Sequence, residues 1–206
     1  MTTIKAKEIA DIVMAEFTPR IEAQGFQSYK GKQFVKVNDE LLCLVELHPG
    51  KSDFYLWYAI YPLCDYKVWL GSASVCGRYP EEDGGIKVNT KDDLNAAISG
   101  LNSQIQTAFD FFKSRSSIVG LEKNISSDAK LFPLLTKGYC LASLGQIEKA
   151  KTCIKPFLDS GLRGGDAREG AELLMAAFDD GTYKELLEKN RADNIKKLRL
   201  KKFMSA

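Results

Sequence analysis

His48 is the only histidine in the chain, so histidine-dependent chemistry has one position open to it. It closes the run "CLVELH", residues 43 to 48, where strand alternation puts Cys43, Val45 and Leu47 on one face and Leu44, Glu46 and His48 on the other. Cys43 therefore cannot partner His48 within that strand, and a Cys-His nucleophile would need Cys64 or Cys76 to approach from elsewhere. Glu46 and His48 could each ligate a metal, but two ligands fall short of a site. The plain reading of His48 is a polar strand end before Pro49-Gly50. "YPEEDGG" gathers Glu81, Glu82 and Asp83 beside two glycines, without the alternating ligand spacing of a calcium loop. "GLRGGD" puts glycines and Arg163 ahead of a helix, where free N–H groups can hold an anion, yet it lacks the Gly-Lys-Ser/Thr ending of a phosphate loop. No residue is assigned a catalytic or metal-binding role, and no cofactor is implied.

The aromatic run "FYLWYAIYPLCDYKVW" carries more information. Alternation sends Phe54, Leu56, Tyr58 and Ile60 to one face and Tyr55, Trp57, Ala59 and Tyr61 to the other, so both faces are apolar. Left in water, Tyr55, Trp57 and Tyr61 would expose roughly 450 to 750 Å², at or beyond the largest patch usual on a soluble monomer. The strand therefore demands a cover on each side: the helical C-terminal half, a second copy of the chain, or a partner protein. Tyr55, Trp57, Tyr61, Tyr66 and Trp69 are the candidate partner-binding residues.

These residues must be positioned by the elements around them. Ile9, Ile12, Val13, Phe17 and Ile21 follow helical steps, with Pro19 predicting a kink or restart near Thr18 and Gly25 an exit. The period then changes to two: "QFVKV", "ELLCLVELH" and "DFYLWYAIY" read as a meander joined by "ND" and "PGKSD" turns, with a further strand around "KVWLGSASV". "TKDD" at 90 to 93 reads as a capped start for a helix carrying Leu94, Ile98, Leu101, Ile105, Phe109 and Phe112. The fold class is α+β, with helix, antiparallel meander and helix in two layers, followed by an all-helical part. The expected domains are 1–115 (α+β), a serine-rich linker at 116–127, and a helical hairpin domain at 128–206.

Twenty-nine basic and 27 acidic residues leave +2, so no overall field draws the chain toward nucleic acid or membrane. Residues 184 to 206 hold eight Lys or Arg against three acids. Ile195, Leu198, Leu200 and Phe203 among them read either as a last helix with a solvated face and a frayed end, or as a basic amphipathic helix for RNA or an acidic partner. The N-terminus is charged at Lys5, Lys7, Glu8 and Asp11, unlike a signal peptide. Five cysteines, odd in number and never spaced C-x-x-C, point to a reduced, cytoplasmic location.

In "KGYCLASLGQIEKAKTCI", Gly138 and Ala150 let two antiparallel helices approach closely and Gly145 turns the chain between them. The pattern resembles a tetratricopeptide repeat, with Leu134 at a large apolar position and a departure at Phe157, where a second small residue is usual. Gly181 begins a looser echo, "GTYKELL". The string "FTPRIEAQGFQSYKGKQFVKV", with Gly25-Phe26, Gly31 and the strand residue Phe34, resembles the bacterial family catalogued as domain of unknown function 4304, over residues 5–115. That resemblance implies a setting in bacterial toxin and immunity systems. The expected function is a non-enzymatic protein-binding module, such as an immunity protein that neutralises a toxin, with a homodimer also open. The alternatives are an enzyme or small-ligand binder using the aromatic sheet face with Glu46, His48 and a cysteine, and an RNA-associated protein acting through the basic tail.

Overall fold

A computed structural model describes residues 6–38, 40–49, 53–79, 85–162 and 165–204. The chain runs through α1 (Ala6–Glu22), β1 (Gln27–Ser28), β2 (Gln33–Val37), β3 (Leu41–Pro49), β4 (Asp53–Pro62), β5 (Val75–Tyr79), β6 (Ile86–Lys87) and α2 (Lys91–Ser114). It continues as α3 (Ile118–Lys123), α4 (Leu131–Ser143), α5 (Ile147–Asp159), α6 (Asp166–Asp179), α7 (Tyr183–Lys197) and a 3₁₀ turn, Leu200–Phe203. The strands pair in the order β1-β2-β3-β4-β5, with β6 antiparallel to the start of β4 through Phe54 and Ile86. This is the α+β meander followed by helices that the change of period predicts.

Chain contacts divide the molecule into two compact units. The first comprises residues 1–36, 43–59 and 76–113, and the second 37–42, 60–75 and 114–206. β3 and β4 each contribute residues to both.

In the first unit, α1 buries Ile9, Val13, Phe17 and Ile21 along one stripe. It continues as one helix through Pro19, so of the expected kink or restart there is no restart. Proline deprives only the Ala15 carbonyl of its helical donor, and Ala15 and Pro19 are both exposed, where water can serve that carbonyl. Gly25 provides the exit at φ +81°. α2 opens with a capping box: Thr90 Oγ1 accepts from the Asp93 N–H at 3.1 Å while Asp93 Oδ2 accepts from the Asn89 and Thr90 N–H groups. Its buried residues Leu101, Ile105, Ala108 and Phe112 share this unit with Phe26, which packs on Phe112 at 5.2 Å between centroids. Tyr58 stands edge-on to Phe111 and lies so close over Gly77 that a Cβ there would sit 2.3 Å from the ring. A strand glycine thus leaves its surface for a neighbouring aromatic.

The second unit is built on helix pairs. Gly138 of α4 faces Ile154 of α5 so tightly that a Cβ on it would lie 2.5 Å from Ile154 Cγ1. α4 then ends at Gly145, φ +71°, with Gly145 N–H to the Ala142 carbonyl and Gln146 N–H to Leu141, a Schellman closure. Thirty-six residues on, Gly181 closes α6 with φ +74°, and Thr182 N–H reaches Ala177. The echo in sequence is thus an echo in turn geometry. Phe157, where the repeat pattern has a small residue, is fully buried and stands edge-on to Phe132. Residues 116–127 carry α3, capped by Ser117 and fixed to α4 through Lys137, which donates to the Ile125 carbonyl at 2.6 Å and pairs with Glu122.

Two further expectations are corrected. Residues 67 to 74 are not a strand, and β5 begins only at Val75. Lys67 at φ +51° and Gly71 at φ +93° leave extended geometry, and side chains rather than strand neighbours serve the backbone there. The tail is not frayed either over its described residues, to Met204. Arg199 turns left-handed at φ 54°, Leu200 and Phe203 are buried, and Met204 bridges to Val37.

Alanine at Gly138 gains roughly 1 kcal/mol of helix propensity, but the overpacking against Ile154 costs about 1 to 3 kcal/mol. Gly138→Ala is expected to lower the urea midpoint, and its cost is expected to shrink in an Ile154→Ala background, where the clashing Cγ1 is gone. A single variant as stable as the parent would contradict the tight α4-α5 contact.

Candidate functional site

The segment from Ile60 to Ser74 belongs to the second unit, and there the chain leaves β4 without a strand to receive its polar groups. α7 supplies what is missing. Asn194, 1% exposed, donates from Nδ2 to the carbonyls of Leu63 (2.9 Å) and Asp65 (2.8 Å) and accepts at Oδ1 from the Val68 N–H (2.9 Å). Asn190, one turn earlier, donates to the Cys64 carbonyl at 3.2 Å. Two carboxamides thus satisfy four buried or half-buried backbone groups in six residues, a service a β-ladder would otherwise perform. The other end of the segment is held by the paired hydroxyls of Ser74 and Thr136 of α4 and by Tyr61, whose hydroxyl accepts from the Gly71 N–H at 3.2 Å.

Tyr66 lies on α6 where Gly170 stands. A Cβ at 170 would be 2.3 Å from Tyr66 Cβ and 2.7 Å from the Tyr139 hydroxyl. Lys67 pairs with Asp166 (2.9 Å) and Glu169 (3.2 Å), and Trp69 Nε1 donates to the other oxygen of Asp166 at 3.2 Å. These bonds hold Asp166 below the usual carboxylate range, Lys67 first and Trp69 second. The Lys67 ammonium also lies 4.6 Å over the Tyr66 ring, and Lys197 lies 3.8 Å over Trp69.

The result is a half-open cleft of about 290 Å³ whose walls include Tyr61, Tyr66, Trp69, Phe132 and Thr136, with Asp65 among its polar groups. Trp69 is 56% and Phe132 47% exposed. Asp65 is half-buried, and its carboxylate accepts from the Tyr66 N–H at 2.7 Å. Loss of water around it pushes its carboxyl up to about 7, the Tyr66 N–H only partly opposing the rise. The Tyr139 hydroxyl is fully buried beside the Tyr66 backbone.

Three of the five aromatic candidates, Tyr61, Tyr66 and Trp69, therefore line one cleft. Tyr55 and Trp57 do not join them; both belong to the first unit and are half-buried. Tyr55 stacks on His48 at 4.9 Å, and the Arg78 guanidinium lies 4.3 Å over its ring. His48 Nδ1 is 3.2 Å from Glu46 Oε1, the shared face that alternation requires. Burial pushes the thiols of Cys43 and Cys64 up to about 12, far from a nucleophile's range. Among the described residues no group of three or more His, Cys, Asp or Glu is placed to hold a metal, and no helix is long and apolar enough to cross a membrane. Glu81, Glu82, Asp83 and Arg163 lie outside the described residues. Asp65, Asn190 and Asn194 were not singled out in the sequence. The available signal was that Leu187, Asn190, Asn194 and Leu198 form one helical stripe, all buried, with amides at two core positions.

No family model, curated protein or solved structure matches this chain.

Asn194→Leu keeps the bulk but strands three backbone groups, each costing about 1 to 3 kcal/mol. A loss of about 3 kcal/mol or more in urea unfolding is expected, and a loss under about 1 kcal/mol would contradict the clamp. A raised folded pKa at Asp65 means the native state binds a proton that the unfolded chain has released. Its contribution is therefore intact below about pH 4 and is lost as pH rises to about 7, by roughly 1 to 3 kcal/mol for a half-buried group. Relative to Asp65→Asn, the parent should lose stability between pH 5 and pH 8 on the order of that amount. Parallel stability profiles would refute the shift.

Proposed function

We propose that the chain is a non-enzymatic protein-binding module whose gripping surface is the cleft around residues 60–75. The observation that carries this reading is the gathering of Tyr61, Tyr66 and Trp69 round one open cleft, with Trp69 and Phe132 exposed at its rim. Large aromatic side chains beside fixed charges are the composition of interface hot spots. The ion pairs of Lys67 with Asp166 and Glu169 hold the rim in shape before a partner arrives, which lowers the ordering cost of binding.

The resemblance of residues 5–115 to the domain 4304 family supports a toxin-neutralising immunity protein as the form this module takes, in the cytoplasmic setting expected from the cysteines. A small-ligand binder is the second reading. The observation favouring it is the desolvated Asp65 carboxylate in a cavity at the lower end of ligand-pocket size. The RNA reading has less behind it, since Leu198, Leu200 and Phe203 are already buried and so unavailable as the apolar face of a docking helix.

Tagged protein purified from its native host under mild conditions is expected to retain a stoichiometric protein partner. Trp69→Ala should weaken that retention by roughly 30-fold or more, the effect of losing a hot spot of about 2 kcal/mol, with the fold preserved by circular dichroism. Recovery of no partner, or equal recovery by the variant, would count against the module. A second copy of the chain as sole partner would show as a dimer in light scattering and would replace the toxin reading.

A further inference from the structure

We propose that the cleft is a socket for one arginine side chain of the partner, with Asp65 as its counter-charge. The inference rests on the protein-binding reading above and names the chemistry the partner must present. Three charged residues line the cleft, and two are already committed, Lys67 and Asp166 to each other at 2.9 Å. Asp65 is left with the Tyr66 N–H and no cation among the described residues. A carboxylate that has lost water and gained no positive partner is an incomplete ion pair, and the missing half is a cation.

The walls decide which cation. Tyr61, Tyr66, Trp69 and Phe132 present apolar ring surface, and the protein already seats its own cations on two of these rings, Lys67 on Tyr66 and Lys197 on Trp69. A guanidinium is planar, weakly hydrated, able to lie on such rings, and able to give a carboxylate two parallel N–H bonds. An ammonium lies on such rings too, as Lys67 and Lys197 do, but it is a point charge without the paired N–H fork that matches a carboxylate. A volume of about 290 Å³ is enough for one long side chain. Arginine is also enriched at the centres of interfaces.

The groups facing Asp65 leave it as the titrating member of the site. Cys64 and Tyr139 are pushed upward by burial, Lys67 is raised and Asp166 lowered by their bonds to each other, and α7 contributes the neutral Asn190 and Asn194 together with the Lys197 ammonium lying on Trp69. Binding of an arginine probe should therefore strengthen as pH rises from 6 to 8, through the value of about 7 at Asp65.

The test titrates the full chain with N-acetyl-arginine amide, following backbone NMR signals. Expected are saturable shifts of residues 65–69, at least ten-fold weaker binding of the citrulline counterpart, and a similar loss with Asp65→Asn. Equal binding of arginine and citrulline, binding indifferent to Asp65→Asn, or no shift at tens of millimolar overturns the socket. The citrulline arm uses the unaltered protein, so it decides even if the variant misfolds. Partner capture separates the two ideas. Loss with both Asp65→Asn and Trp69→Ala supports the socket, loss with Trp69→Ala alone overturns it while leaving the module, and loss with neither removes both.

Discussion

Residues 63 to 68 leave strand β4 carrying polar backbone groups into the protein interior, and a single carboxamide meets three of them. Asn194 gives both N–H donors to the Leu63 and Asp65 carbonyls and takes the Val68 N–H on its oxygen. With Asn190 on Cys64, α7 stands in for a missing strand. Its side-chain amides reproduce the pattern of backbone donors and acceptors, but can do so around a corner that no ladder could follow. Burying unmet N–H and C=O groups costs enough that the segment would otherwise have to return to solvent, and the cleft would go with it.

From that constraint the rest of the second unit follows. A segment held this close to a helix needs helices with little on their facing surfaces, and glycines supply them. Gly170 leaves room for Tyr66, and Gly138 leaves room for Ile154, so that α4, α5 and α6 can crowd together. Crowding desolvates Asp65 and buries the Tyr139 hydroxyl. The unusual electrostatics of the cleft are thus a by-product of how the segment is fastened, and they are also what gives the cleft a preference among ligands.

The α+β class, the meander, the Thr90 capping box and the α4-α5 turn at Gly145 were legible because each rests on local signals: a period, a cap, a positive φ. Strand β4 also read correctly as apolar on both sides, since Ala59, Ile60 and Tyr61 in succession are all buried. What could not be read was where the alternation stops mattering. "KVWLGSASV" has the composition of a strand, but Lys67 adopts a left-handed conformation that composition does not announce, and the donor that replaces the ladder lies 126 residues away. The same distance hid Asp65, whose character comes wholly from its surroundings. The tail misled in the opposite sense. Its lysines suggested a loose end, while Leu200 and Phe203 anchor it.

The most direct probe of the account is amide hydrogen exchange at Val68. Its N–H is predicted to exchange slowly, with protection close to that of the α4 and α5 core, because it is held by a buried Asn194 oxygen at 2.9 Å. Exchange as fast as in an open surface loop would mean that the clamp does not hold, and that the cleft is not a formed site.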